Sequence, residues 1–555
     1  MRHIKYSLLL LLFTILGTTA CKKQLDVKNP NEPSITDLYT EPGIIALSKG
    51  AVYNNGLNLT FNAGLNQLGS GFTYTMYAYQ ELLADVLSAS ASNQNINVIN
   101  LPEYVILDNG TKVNSGLTQR GTIRSTNTRS NRSSNSIYYE WAYMYALNNS
   151  CNNLLDVLPK VTFSGGDAAS KRKTIEAWAY WWKGYAYSRI GSLYYAGIIN
   201  DSSYNNSPVG QTNANFVTHD AMIAEANKNL DKAAAALNGI TSSADYDALI
   251  AQIIPEFIQT GHGGAPTITM FLHSINTMKA RNLLVNKRVS AMTTADWNTI
   301  LTLTANGITR TDNVFTVRTT NTNGILSTTG NVVAMSTGAS STFRISERFI
   351  QEFKDDDKRL TNNFSRTPSP RLDQTGGITF STRWRLLAGS GASSANTSPN
   401  LPGVILYSDL TAGKQEIYVG PSYEENALMR AEALIYTGKI DEGLALVDAV
   451  RNYQGAGLGA TPNKDLPRAI DELRRERRVA LVFRGISFYD YRRWGIIDDV
   501  SKGGGRKEAV VLTAQNVLNT NATINYNFLD YWDVPADEFE LNPPATGSAP
   551  VQNPG

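Results

Sequence analysis

Residues 422–495 read SYEENALMRAEALIYTGKIDEGLALVDAVRNYQGAGLGATPNKDLPRAIDELRRERRVALVFRGISFYDYRRWG. Leu428, Ala431, Leu434 and Ile435 recur three and four apart, which puts them on one face of a helix that needs a partner. Thr437-Gly438-Lys439 predicts a turn, and Ile440, Leu444, Val447 and Val450 supply a second periodic face, with Ala445 and Ala449 small enough for close approach. Together they predict a helical hairpin. A loop with Gly455, Gly457 and Gly459 follows, then Pro467 and a third helix through Ile470, Leu473 and Ala480 ending near Gly485. That helix carries Arg468, Arg474, Arg475, Arg477, Arg478 and Arg484, with Arg492 and Arg493 beyond it. Asp471, Glu472, Glu476 and Asp490 are interleaved, so the guanidinium groups are expected to bridge neighbouring helices rather than to contact nucleic acid.

Met429-Arg430-Ala431-Glu432-Ala433, Leu446 to Arg451 and Glu476-Arg477-Arg478 come in a fixed order along this stretch. Phe483, Gly485, Phe488, Asp490, Arg492, Arg493, Trp494 and Gly495 follow them. This series resembles the C-terminal signature of the SusD/RagB family, surface nutrient-binding lipoproteins of the Bacteroidetes. Where the family has histidine or a similar residue after its glycine, this chain has Ile486-Ser487. Trp141 to Asn152, Ala177 to Leu193 and Ala280 to Arg288 resemble further family segments in the family's order. So does the tail with Val534-Pro535, Glu538, Leu541-Asn542-Pro543 and Gln552-Asn553-Pro554-Gly555. The resemblance implies a mostly α fold of tetratricopeptide-like helical hairpins with long irregular loops and a few short strands.

With 555 residues, length alone suggests three or four domains of about 150 residues, and a repeat architecture merges them into one. Fifty basic residues against 48 acidic ones give +2, so net charge implies no polyanionic partner. The 27 Tyr and 8 Trp suit carbohydrate or peptide stacking and equally suit helix packing. Two cysteines and four histidines are too few for a cysteine-rich zinc site or a disulfide framework.

At the N-terminus, Arg2, His3 and Lys5 precede an apolar run, Leu8 to Leu16, far short of the roughly 20 residues of a spanning helix. Residues 1–20 therefore read as a signal. Leu16-Gly17-Thr18-Thr19-Ala20-Cys21 resembles the lipobox of bacterial lipoproteins, in which the cysteine thiol is acylated and the chain is cut before it. The alternative is an ordinary secretory signal cleaved near Ala20, with Cys21 free or paired to Cys151. Acylation at Cys21 leaves Cys151 as a small core residue, and residues 21–35 form an extended tether.

Residues 36–555 are expected to form one domain. Helix periodicity is strong at 137–158, at Lys171 to Ile199, at Thr218 to Leu237 and at about Met270 to Met292, and Thr293 to Asp296 offer a capping box. The helix with Trp178 and Trp182 on one side and Trp181 and Tyr185 elsewhere must be buried on more than one face. Residues 88–136, 308–345 and 366–420 are rich in Ser, Thr, Asn and Gly and read as loop insertions, the first with a buried segment from Ile96 to Leu107. Ser346 to Arg359 predict a short helix whose end, Asp355-Asp356-Asp357-Lys358-Arg359, lacks the spacing and glycine of a calcium loop and reads as a solvated end with Asp357 and Arg359 paired.

No HExxH, Walker A, GxSxG or GxGxxG stands in its required context, and Gly261-His262-Gly263-Gly264 and Gly503-Gly504-Gly505-Arg506-Lys507 read as surface turns. No catalytic residue, cofactor or metal is assigned. Sugar recognition needs flat aromatic faces and amide or guanidinium donors on loops held by a rigid scaffold. Asn95 and Tyr104 in the first long loop and Trp384 in the last meet that description by composition and place. By resemblance, the chain is an outer-membrane lipoprotein, lipid-anchored at Cys21 and facing the exterior. It binds an oligosaccharide and delivers it to a SusC-like TonB-dependent transporter, with a peptide-binding RagB-like uptake subunit or a secreted glycoside hydrolase as alternatives.

Overall fold

The computed structural model describes residues 35–57, 72–89, 92, 95–203, 213–318, 343–373, 376–386 and 416–555. The predicted signal, Cys21 and almost all of the tether lie outside the described residues, as do parts of the second and third insertions.

Eleven helices carry the architecture: α1 (Glu41–Tyr53), α2 (Tyr138–Val157), α3 (Ala168–Leu193), α4 (His219–Asn238), α5 (Ser243–Ile253), α6 (Ile268–Val285), α7 (Thr294–Ala305), α8 (Tyr423–Tyr436), α9 (Ile440–Tyr453), α10 (Leu466–Ala480) and α11 (Ser487–Arg493). Their starts follow side-chain chemistry. Thr40, Asp167, Thr218, Ser242, Thr267, Thr293, Ser422 and Asp465 each accept a hydrogen bond from a first-turn N–H, and Thr293 and Asp296 close the predicted capping box. α2 and α3, α3 and α4, and α8 and α9 pack as neighbours consecutive in the helix order, and α10 packs on both members of the last pair. The chain is thus built of stacked helical hairpins.

In the deciding stretch Leu428, Ala431, Leu434, Ile435, Leu444, Val447 and Val450 are buried as predicted. Close approach comes from Gly443, where a Cβ would sit 2.7 Å from the Ala431 carbonyl oxygen. Ala445 is exposed and Ala449 half-buried, so neither provides it. The third helix ends at Ala480, and Gly485 closes the turn after it with φ +67°. A Cβ there would meet the Tyr77 ring at 2.6 Å, so both conformation and space require glycine.

α3 runs through the centre. From Ala177 to Leu193 every residue but Tyr180 is buried. Trp181 lies 4.4 Å from Phe315 and 4.6 Å from Trp182, ring centre to ring centre, in tilted and edge-on contact. One apolar cluster continues from Ile44 in α1 to Val534, and Cys151 lies inside it as a free thiol, which burial pushes up to about 12. Trp141, Trp178, Trp181, Trp182, Trp297 and Trp532 are buried. Of the eight tryptophans only Trp384 and Trp494 reach the surface, so most of the aromatic excess goes into helix packing.

The insertions hold more regular structure than their composition predicts. Six strands form one antiparallel sheet: β1 (Tyr104–Ile106), β2 (Lys112–Asn114), β3 (Phe364–Leu372), β4 (Phe380–Leu386), β5 (Arg506–Thr513) and β6 (Leu518–Asn525), in the order β2-β1-β6-β5-β4-β3. The registers include Ile106 opposite Thr523, Leu518 opposite Leu512, Leu512 opposite Ser381, and Arg366 opposite Trp384. The first and third insertions are thereby joined to the C-terminal region. Helix Gln119–Thr126 also falls inside the first insertion.

Two smaller expectations are corrected. Ser346 to Arg359 is two short helices, Glu347–Ile350 and Lys358–Asn363, each with its own cap at Ser346 and Asp357. Asp357 and Arg359 are paired at 2.8 Å, but both are buried rather than solvated, because Arg359 also reaches Glu476 at 2.6 Å.

Candidate functional site

Asn95 has φ +59°, a conformation its short amide tolerates, and its Nδ2 donates to the Ser134 carbonyl at 2.5 Å. Its own carbonyl accepts from the Val98 and Ile99 N–H groups, so the residue starts a turn and ties two parts of the insertion together. Tyr104 is half-buried on β1 with the Lys112 ammonium 3.7 Å from its ring centre. Burial, then Asp499 and Glu103, raise its hydroxyl pKa. Trp384 is half-buried on β4, and the Arg366 guanidinium lies 5.0 Å from its ring centre. Strands β6 and β5 separate β1, which carries Tyr104, from β4, which carries Trp384, so the two strands lie about 14 Å apart across the sheet. They belong to one platform and not to one pocket.

The chemistry around Trp384 is basic. Arg383 makes a bidentate pair with Glu347, 2.9 Å from Nε to Oε1 and 2.8 Å from Nη2 to Oε2, which fixes β4 on the helix at Glu347–Ile350. Arg385 Nε donates to Ser365 Oγ at 3.3 Å. Arg371 stands opposite Thr382, two residues before Trp384 and on the same face of the ribbon. Between Arg366 and Arg371 the register slips, with five residues of β3 advancing against two of β4.

Beside this sheet lies a cavity of ≈ 10 Å³, room for about one water, lined by Asp85, Ser88, Arg348, Asp373, Phe380 and Tyr526 among others. Asp85 pairs with Arg348 at 3.1 Å and accepts from the Tyr526 hydroxyl. Burial raises its pKa, but Arg348, Arg506 and the Tyr526 bond more than offset that and hold it below the usual carboxylate value. Asp373 has Arg344 at 4.0 Å, and burial pushes it up to about 7 despite Ser88, that guanidinium and Arg348.

The arginines of the deciding stretch are bound from several sides. Arg493 meets Glu432 at 2.6 and 2.7 Å and Asp490 at 2.7 Å, and Arg477 meets Asp490 at 2.9 and 3.0 Å. Arg451 joins Glu476 and Glu472, both at 2.9 Å, and Arg484 reaches Glu424 at 3.2 Å. Arg492 donates to the Ser192 and Val285 carbonyls at 2.6 and 2.9 Å, satisfying the ends of α3 and α6. Arg477 on this basic helix and the arginines around it form a structural joint, and their charge is spent inside the molecule.

The C-terminal part, residues 301–555, matches the SusD family model. The fold extends the likeness over nearly the whole chain. A SusD superfamily protein from Bacteroides vulgatus superposes with TM-score 0.53 at 13% identity, covering 92% of this chain and 98% of that one. The chain has the SusD fold. A SusD-like carbohydrate binding protein of the same species has TM-score 0.52 at 13% identity, covering 92% and 98%. Surface glycan-binding protein A from Bacteroides thetaiotaomicron, in complex with laminarihexaose, has TM-score 0.54 at 12% identity, covering 90% of this chain and 97% of that one. No curated protein matches the chain in sequence.

Within the matched part, Glu432, Arg477, Asp490 and Arg493 form the buried ionic joint just described. Sequence reasoning offered Trp384 as a candidate and did not single out Arg366 and Arg371 as its neighbours. The only available signal was Arg366, Arg371, Arg383 and Arg385 within twenty residues, diluted by Pro368 and Pro370 and by the serines and threonines between them.

Proposed function

We propose that the chain is a cell-surface lipoprotein, acylated at Cys21, that binds oligosaccharide nutrients without cleaving them and delivers them to a SusC-like TonB-dependent transporter of the outer membrane. The observation that carries the reading is the SusD fold, which extends over about nine-tenths of the chain onto structures of carbohydrate-binding proteins, one of them holding a glucan. The Trp384–Arg366 pair supports it with the aromatic face and donor edge that a sugar needs. Asn95 and Tyr104, both in the first insertion, enter as further candidate contacts. The anchor would leave residues 36–555 as one domain on a tether.

Calorimetric titration of the mature chain against pooled oligosaccharides and pooled peptides tests this reading. Saturable binding of saccharide with no product after long incubation is expected. Binding confined to peptides would make it an uptake subunit for peptides, and release of shorter sugars would make it a hydrolase.

A further inference from the structure

We propose that the β3–β4 ribbon is a subsite for the acidic group of a saccharide, a carboxylate or a sulfate ester, with Arg366 as the anion-binding fork and Trp384 as the plate that orients it. The inference rests on the glycan-binding reading and narrows its ligand class.

Most buried arginines elsewhere in the molecule meet acids, Arg492 with its carbonyl partners excepted. Arg189, Arg281, Arg359, Arg451, Arg477 and Arg493 each lie within 3.0 Å of a carboxylate. On the ribbon the pattern breaks. Arg366 is exposed and lies over the Trp384 ring, Arg385 meets only a serine hydroxyl, and neither forms an ion pair among the described residues. Positive charge also accumulates there. Burial and then Arg385 lower the pKa of Arg371, and Arg344, lowered chiefly by burial, is lowered further by Arg371. Such a site gains when an anion arrives.

The geometry suits a carboxylate or sulfate better than a diffuse polyanion. A guanidinium held over an indole keeps its plane while its N–H edge stays open to a bidentate acceptor. The half-buried indole beside it offers apolar surface to a sugar ring. Edge strands are commonly guarded by charge and proline, and that role accounts for Arg366, Pro368, Pro370 and Arg371 on β3. It does not account for Trp384 and Arg385 on the neighbouring strand.

The mature chain is titrated with an array of uronate-containing and sulfated oligosaccharides beside their methyl-esterified and desulfated counterparts, with phosphatidylglycerol vesicles as a separate arm. Binding of an acidic member about tenfold tighter than its neutral counterpart is expected, weakening with salt. Which acid class binds assigns carboxylate or sulfate. Arg366→Ala, at an exposed position, should lose about tenfold in affinity for the acidic sugar. It should leave the melting temperature unchanged and weaken neutral-sugar binding far less than acidic-sugar binding, and Arg366→Lys should recover part of the loss. Equal affinity for acidic and neutral counterparts, or an unaffected Arg366→Ala variant, overturns the subsite and leaves glycan binding standing. Equally tight, Arg366-dependent binding to vesicles overturns it in favour of lipid headgroups. Failure of every saccharide, charged or neutral, refutes glycan binding itself and the subsite with it.

Discussion

Arg493 and Glu432 face each other through two parallel hydrogen bonds, with both side chains almost sealed from water. Removing one partner strands the other charge in a low-dielectric interior. Glu432→Ala should therefore cost about 3–5 kcal/mol in urea unfolding. Arg468→Ala, whose side chain is 75% exposed beside Asp465, should stay within about 0.5 kcal/mol. Glu81 offers a second test. Burial, only partly offset by hydrogen bonds from Ser487 and the Phe483 and Gly485 N–H groups, pushes its carboxyl up to about 7. The folded state holds a proton that the unfolded chain releases near pH 4, so stability falls as pH rises from about 4 through 7, by about 3 kcal/mol. Glu81→Gln should flatten that part of the urea midpoint profile, and a slope unchanged by the substitution would refute the assignment. Pairing of the arginines was legible from the interleaved acids. The partners were not, because Glu424, Glu432 and Glu352 come from elements distant in sequence, and proximity between distant elements is a property of the fold.

At the scale of elements, the helices were legible because apolar residues three and four apart need only local information. Caps were legible for the same reason, and Thr293→Ala should cost about 1 kcal/mol in thermal or urea unfolding through the lost bond to the Asp296 N–H. An unchanged midpoint would remove that cap from the account of α7. The six-stranded sheet was not legible. Its strands pair across hundreds of residues, β1 with β6 and β4 with β5, and β3 contains Pro368 and Pro370, which read as breakers. Both prolines are tolerated because β3 is an edge strand with a register slip between Arg366 and Arg371. Trp384 was visible as a residue, but its basic surroundings exist only once β3 lies beside β4.

For the molecule as a whole, buried acids of opposite tendency set the pH of greatest stability. Glu81 and Asp373, both pushed up to about 7, weaken the fold as pH rises through neutrality. Glu472 and Asp296 are held down to about 2, Glu472 by Arg451 and Lys354 against its burial and Asp296 by Lys287 and the Thr293 cap. Their contribution is present above about pH 4 and is lost as pH falls toward 2. The urea midpoint should peak near pH 4 and decline toward both 2 and 7, and a flat profile from 4 to 7 would contradict this balance. The fold was legible at this scale from the ordered signature. The surface that meets ligand was not, since most aromatic residues that composition offers for stacking are in the core. The most direct measurement is isolation of the affinity-tagged full chain from detergent-solubilised outer membranes of its native cell, with mass spectrometry of what accompanies it. A TonB-dependent transporter in comparable amount, with the tagged chain beginning at an acylated Cys21, is the expected result. A chain recovered alone from the water-soluble fraction, its Cys21 thiol unmodified, would contradict the proposal of a surface receptor that hands its ligand on.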